Sequence, residues 1–110
     1  MKKVILLVTL LYVAVSALAI QEHNVKNIGI KEGLSNGYVL DICMDGQGFV
    51  WAATEHGLNR IAGTKCTVFT PDNSDISNFE HVGLLYHKKT NSVWVHSKDG
   101  RLDVYDCRTQ

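Results

Sequence analysis

Sliding the chain against itself by 43 residues brings its two tryptophans into one frame. Trp51 falls on Trp94, Val50 on Val93, Thr54 on Ser97 and Gly57 on Gly100, so both stretches read V-W-x-x-[ST]-x-x-G. Without a gap, Val39 also falls on Val82, Ile42 on Leu85 and Ile61 on Val104. Two copies of a unit of about 40 to 45 residues point to a repeat architecture, and short strands within each unit point to propeller blades.

The strands are read from what interrupts them. Val39 to Met44 is an apolar run stopped by Asp45-Gly46-Gln47-Gly48, and Phe49 to Thr54 is a second, stopped by Glu55-His56-Gly57. Leu58 to Ile61 is stopped by Ala62-Gly63-Thr64, and Cys66 to Thr70 by Pro71-Asp72-Asn73-Ser74. These segments are too short for helices and their connections are of hairpin length, which gives a four-stranded antiparallel meander. Stacked blades bury both faces of an inner strand, and Phe49-Val50-Trp51-Ala52-Ala53 is accordingly apolar without alternation. The fold expected is all-β: about two four-stranded antiparallel propeller blades, an incomplete propeller, after an N-terminal signal-peptide helix. A β-sandwich with ordinary core tryptophans is the alternative.

The amino terminus carries an export signal in three parts. Lys2 and Lys3 form a positive start, Val4 to Val15 an apolar run, and Ala17-Leu18-Ala19 a small-x-small cleavage site. The run is short of the roughly 20 apolar residues that span a bilayer, although Leu18 and Ile20 lengthen it toward an uncleaved anchor. Cleavage near Ala19 leaves one small domain in an oxidising compartment, periplasmic or secreted. The whole chain has 11 basic and 11 acidic residues, and loss of Lys2 and Lys3 leaves the remainder slightly acidic. Such a surface does not neutralise phosphates, so nucleic acid is not an expected partner.

Three cysteines, Cys43, Cys66 and Cys107, cannot all pair within one chain, and their spacings match no zinc pattern. Cys43 reads as a small apolar strand residue. Cys66 and Cys107 are the candidate disulfide, subject to a Cα separation that sequence does not supply.

Gly33-Leu34-Ser35-Asn36, Val39 to Ile42, Asp45, Gly48-Phe49-Val50-Trp51, Thr54 and Gly57-Leu58-Asn59-Arg60 together resemble the two-component regulator propeller repeat. The resemblance is close over residues 33 to 61 and looser over 77 to 106, where Lys88-Lys89-Thr90-Asn91 replaces the aspartate and glycine of the first hairpin and Arg101-Leu102 the usual Gly-Leu. It implies the periplasmic sensor region of a hybrid two-component protein of gut-dwelling Gram-negative bacteria. Such a protein has two seven-bladed propellers, a β-sandwich, a membrane helix and cytoplasmic kinase and regulator modules. It detects glycans in the periplasm and switches on polysaccharide-degradation genes. On this reading residues 1–19 are the signal peptide, 20–34 a leading segment, 35–76 the first blade and 77–110 a partial second blade. The chain is then an amino-terminal fragment that contributes to sensing only within a longer one, and any kinase activity lies in modules outside it. Its partners are the remaining blades and, for the full sensor, an oligosaccharide. Two other readings stay open: the start of a secreted propeller enzyme acting on glycans, sialidase-like or a lyase, and a nonfunctional truncated product.

The residues singled out are structural members of the repeat: Asp45, Gly48, Trp51, Thr54, Gly57, Trp94 and Gly100. Asp45-x-x-Gly48-x-x-Trp51 also resembles the Asp-box hairpin of sialidases, where the carboxylate accepts hydrogen bonds from turn amides. A lone acid supplies neither a carboxylate pair nor a calcium cage. Asp72-Asn73-Ser74-Asp75 lacks the glycine and distal glutamate of a calcium loop and reads as a solvated interblade loop. His81, His87 and His96 surround the second hairpin, where a five-residue loop pairs His96 with Leu84 and leaves His87 opposite Val93. No catalytic, metal or cofactor site is expected. Ligand-binding residues are not assigned, because Tyr38 and Tyr86, able to stack on sugars, serve a core equally well. In the 43-residue frame His23–Asn27 aligns with Cys66–Thr70, so the leading segment is expected to be the outer strand that closes a complete ring and to be poorly held here. The two blades alone are expected to self-associate, since each must bury two faces and only one seam exists.

Overall fold

The computed structural model describes residues 2–19 and 24–109. Helix α1 (Lys2–Ala19) comes first. Val4 to Val8 and Leu10 to Leu11 are exposed on it, and no described helix is long and apolar enough to cross a membrane. The residues after the expected cleavage site, 20–23, lie outside the described ones, and His23 of the expected closing strand with them. Residues 24–28 form no strand and Val25 is exposed. A 3-10 turn, Ile30–Glu32, follows, with the Glu32 carboxylate accepting the Gly29 N–H at 2.8 Å.

Two antiparallel sheets make up the rest. The first is a meander of β1 (Val39–Met44), β2 (Val50–Thr54), β3 (Gly57–Ala62) and β4 (Lys65–Phe69); the second, of β5 (His81–His87), β6 (Ser92–Ser97) and β7 (Leu102–Asp106), has three strands among the described residues. The chain is thus an incomplete propeller of two blades. β2 is buried at Trp51, Ala52, Ala53 and Thr54: Trp51 and Ala53 face the second blade, and on the other side Ser35 bonds to Thr54 and to the neighbouring Asn59.

The second copy is not a gapless repeat of the first. Cys43 lies opposite Trp51 and Leu85 opposite Trp94, which relates β1 to β5 by 42 residues. Trp51 lies opposite Arg60 and Trp94 opposite Val104, which relates β3 to β7 by 44. Only β2 and β6 keep the offset of 43, because each hairpin of the second blade holds one extra residue. The equivalence of Val39 with Val82, Ile42 with Leu85, Gly57 with Gly100 and Ile61 with Val104 is therefore corrected. His96 sits opposite Gly83 and His87 opposite Ser92, one place from expectation, because the loop is four residues, Lys88–Asn91, and the register shifts between His81 and Gly83.

Alternation along the strands sorts side chains between the two faces of the first blade. Cys43, Trp51, Leu58, Arg60 and Phe69 face the second blade, while Ile42, Asn59, Ile61 and Cys66 face away. The seam core is Trp51, Leu58, Val93, Val95 and Cys107, with Cys43, Phe69, Ile76, Leu84, Tyr86 and Tyr105 packed against it. Polar contacts lock the seam. The Asp41 carboxylate accepts the Leu84 N–H at 2.8 Å, and the Phe79 carbonyl accepts the Gly57 N–H at 2.7 Å.

Candidate functional site

The first hairpin is organised by one carboxylate. Asp45 Oδ1 accepts the N–H groups of Gln47 at 2.9 Å and Phe49 at 3.0 Å, and Oδ2 accepts the indole N–H of Trp51 at 2.9 Å. Gly48 takes φ of 87°, which lets the turn fold back so that those amides converge. Both oxygens of a buried carboxylate are thus engaged, and Trp51 is fixed in orientation by its own turn. Three hydrogen bonds to one carboxylate clasp the turn to the indole.

The second hairpin is closed by Thr54. Its hydroxyl donates to the Gly57 carbonyl at 2.8 Å, accepts the His56 N–H at 3.1 Å and touches Ser35 Oγ at 3.2 Å. Gly57 has φ of 113°, and a Cβ there would lie 3.2 Å from Ser35 Oγ and 3.3 Å from Val68 Cγ1. Gly100 also has positive φ, but it lies in the turn between Ser97 and Arg101.

Trp51 and Trp94 occupy equivalent places with different surroundings. Trp51 is fully buried, stacked on Phe69 with centroids 5.7 Å apart and tilted against Tyr105 at 4.8 Å. Trp94 is half-buried, donates to Ser92 Oγ at 3.0 Å and leans on His87. It lies on the face of the second blade that points away from the seam.

Two features were not found from the sequence. The Arg60 guanidinium lies over the rings of Phe49, Trp51, Phe69 and Tyr105 at 5.4 to 5.9 Å and donates to Tyr105 Oη at 3.0 Å. The partly buried charge is stabilised by the aromatic faces and by one hydrogen bond. The other feature is a bracket repeated in both blades. The Asn59 side chain accepts the Ser35 N–H and donates to Ser35 Oγ, and the Asp103 carboxylate accepts both the N–H and hydroxyl of Ser77. The paired tripeptides Leu34-Ser35-Asn36 and Ile76-Ser77-Asn78 were the available signal, at an offset of 42.

All three cysteines are thiols. The expected Cys66–Cys107 bridge is not formed: Cys66 pairs with Ile61 on the face away from the seam, close to Gly33, while Cys107 is buried inside the seam. Burial, followed by the charges of Asp41, Asp45 and Cys107, pushes the Cys43 thiol up to about 11, and burial also raises Cys107.

Solvent-facing loops of both blades meet at one end of the sheets. Glu55 N–H reaches the Tyr38 carbonyl, His56 stacks on Phe79 with centroids 4.8 Å apart, and Lys98 N–H donates to the Glu80 carbonyl at 3.1 Å. Lys98 also pairs with Glu80 at 3.3 Å. Tyr38 is 68% exposed there, whereas Tyr86 donates to Asn91 Oδ1 at 2.8 Å and packs in the seam. The Tyr38 ring and the Lys98–Glu80 pair are exposed groups at this end. The buried His81 sits nearby with Nδ1 3.4 Å from Ser97 Oγ and no partner on Nε2. Burial lowers its pKa, opposed by the charge of Asp103. No group of three or more His, Cys, Asp or Glu able to hold a metal occurs among the described residues. The Asp72–Asp75 segment is a turn in which Asn73 accepts the Thr70 N–H and donates to the Val68 carbonyl.

Residues 33–56 match the two-component regulator propeller family. The fold is similar to the crystal structure of the extracellular domain of a hybrid two-component system from B. thetaiotaomicron, with a TM-score of 0.70 and 33% sequence identity over 77% of this chain. The match covers 12% of that chain. No curated protein sequence matches this chain. The clasp of Asp45 on Trp51 thus lies within the segment that matches the two-component regulator propeller repeat, and the fold around it is similar to part of a hybrid two-component extracellular domain.

Proposed function

We propose that these blades are part of the sensing region of a hybrid two-component signalling protein and act in glycan-responsive signalling only within a longer chain. The observation that carries this reading is the uncovered face of the second blade. There Leu85, Trp94, Leu102 and Val104 repeat the places of Cys43, Trp51, Leu58 and Arg60, which in the first blade are covered by a neighbour. Leu58 is 1% exposed and Leu102 54%. A further blade is the partner whose geometry fits that face. On this reading residues 1–19 direct export and are cleaved near Ala19, which places the blades in the periplasm or outside the cell. Residues 20–34 lead in, 35–76 form the first blade and 77–110 part of the second.

The blades take no part in catalysis. Asp45, the one residue that suggested a glycan-active enzyme, engages both carboxylate oxygens in its own hairpin. The loop end with Tyr38 is an arc of the rim on which an oligosaccharide is read once the ring is complete. Calorimetric titration with oligosaccharides of the two-blade chain, and of the chain extended by the repeats encoded downstream, tests this. The extended protein binds and the two-blade chain does not. Micromolar binding by residues 20–110 alone refutes the requirement for a longer chain, and a downstream reading frame without further repeats refutes the receptor origin.

A further inference from the structure

Cys43 and Cys107 approach the blade seam from opposite sides. Asp41 and Cys43 on β1 share the seam side. Asp41 holds the Leu84 N–H, and a Cβ on Gly46 would touch Tyr86 Oη and come within 3.7 Å of Asn91 Oδ1. Cys43 therefore lies over β5 between Leu84 and Tyr86. Tyr86 is the direct cross-strand partner of Val93. Cys107 leaves β7, bonds its N–H to the Asn91 carbonyl at 3.0 Å and turns into the core beside Val93. Tyr86 and Val93 are one strand spacing apart, about 4.8 Å, and Cys43 packs against the cluster that holds Val93 and Cys107. The charge of Cys107 raises the Cys43 thiol and that of Asp45 raises both, which agrees with their sharing one corner.

We propose that Cys43 and Cys107 are a redox pair that joins the two blades as a disulfide, with Cys66 left as a thiol. The oxidant is an external disulfide of the glutathione class. Cys43 is half-buried and reachable, so its thiolate attacks the external disulfide first, releasing one glutathione thiol and leaving a mixed disulfide. Cys107, only 2% exposed, is reached from within the seam. Its thiolate attacks Cys43 Sγ and expels the second glutathione. Two protein thiols lose two protons and two electrons, and one external disulfide becomes two thiols. The raised thiol pKa of both residues makes the exchange slow at neutral pH and faster in alkali.

Chain statistics favour a different product. Cys43 lies 23 residues from Cys66 and 64 from Cys107, and loop-closure entropy alone favours the shorter loop about 5-fold. Formation of the longer loop is thus a signature of the folded seam. The test is equilibration of the reduced full chain in a glutathione redox buffer, acid quenching, alkylation, cleavage after Lys and Arg, and mass analysis. The three cysteines fall in separate peptides, 32–60, 66–88 and 102–108. A dominant 32–60 to 102–108 linkage, retained in Cys66→Ser and replaced by the 32–60 to 66–88 linkage when the exchange is run in guanidinium, is the expected result. A dominant linkage through 66–88 without denaturant, or three alkylated thiols at redox equilibrium, overturns the proposal.

Discussion

Removing α1 and replacing Leu85 and Leu102 with lysine isolates the energetics of the uncovered blade face. Leu85, Leu102 and Val104 are 59%, 54% and 53% exposed, and Trp94 beside them is half-buried. Fully burying such a side chain is worth about 1.5 to 3 kcal/mol, so covering the exposed half of each yields about 1 kcal/mol, or about 4 kcal/mol for the face. The first blade has its own open face, where Ile42 and Met44 are also more than half exposed. A head-to-tail contact between those faces reproduces the packing sense of the native seam and totals about 6 to 8 kcal/mol. Association costs about 4 to 15 kcal/mol, so the net attraction is at most about 4 kcal/mol, corresponding to a Kd near millimolar. Such a contact does not pair a patch with itself and leaves open faces at both ends, so oligomers grow stepwise with concentration. Sedimentation velocity of residues 20–110 over a concentration series shows a weight-average mass that climbs without a plateau, and the double lysine variant holds the monomer mass. A wild-type monomer even at concentrations of about 1 mM and above, with a sharp cooperative melt, refutes the reasoning and revives a self-contained sandwich. Equal association by the lysine variant refutes the assignment of the face.

Other expectations are measurable in the same lysine background, which keeps the chain monomeric. Asp45→Ala leaves the buried indole N–H of Trp51 without its acceptor and removes two turn bonds; the expected loss is about 3 kcal/mol by urea unfolding followed through Trp fluorescence, and a loss below about 0.5 kcal/mol contradicts the clasp. Gly57→Ala forces a side chain into φ of 113° against Ser35 and Val68, so its stability falls by about 1 to 3 kcal/mol, whereas Gly63→Ala, with nothing within 4 Å of its Cβ, suffers only the backbone part of that penalty. The His81 pKa is lowered from 6.5, so the unfolded chain takes up a proton that the folded chain resists. The contribution is full above 6.5 and is lost as pH falls below it. Stability measured from about pH 7.5 to 5 falls less steeply in His81→Leu, and identical slopes count against the burial argument. Arg60→Met keeps the aliphatic stem but removes the charge from the four rings and the bond to Tyr105; about 1 to 2 kcal/mol of destabilisation is expected, and none is expected to be recovered by high salt.

The blade was legible because its strongest signals are local. Connections of hairpin length, glycines at the turns and an apolar strand without alternation each lie within a few residues, and the first sheet follows them nearly residue for residue. The Asp45 hairpin was equally local, since every acceptor contact of its carboxylate falls within six residues. The meeting of loops near Tyr38 was not legible, because it is assembled from both blades and depends on which ends of the hairpins coincide. The aromatic setting of Arg60 was hidden for the same reason. One of its four rings, Tyr105, comes from the second blade, 45 residues away.

The gapless frame misled for a physical reason. Sliding the sequence locks onto β2 and β6, whose large side chains dominate the match, and extends that offset into neighbouring strands. Hairpin loops absorb an extra residue at little cost, provided the strand beyond still turns its apolar face to the core. That proviso decides which residues correspond. With one residue added before β6 and one after it, Leu102 takes the place of Leu58 and Asp103 that of Asn59, so that Ser77 finds the same bracket as Ser35. The two glycines that anchored the frame do different jobs: Gly57 begins a strand opposite Thr54, and Gly100 sits inside a turn. Face assignment, by contrast, follows from parity once a hairpin is set. Cys43 opposite Trp51 had to share its side, and Cys66 opposite Ile61 had to take the other. That parity keeps Cys66 away from Cys107, and it turns Cys43 toward the seam in which Cys107 is buried.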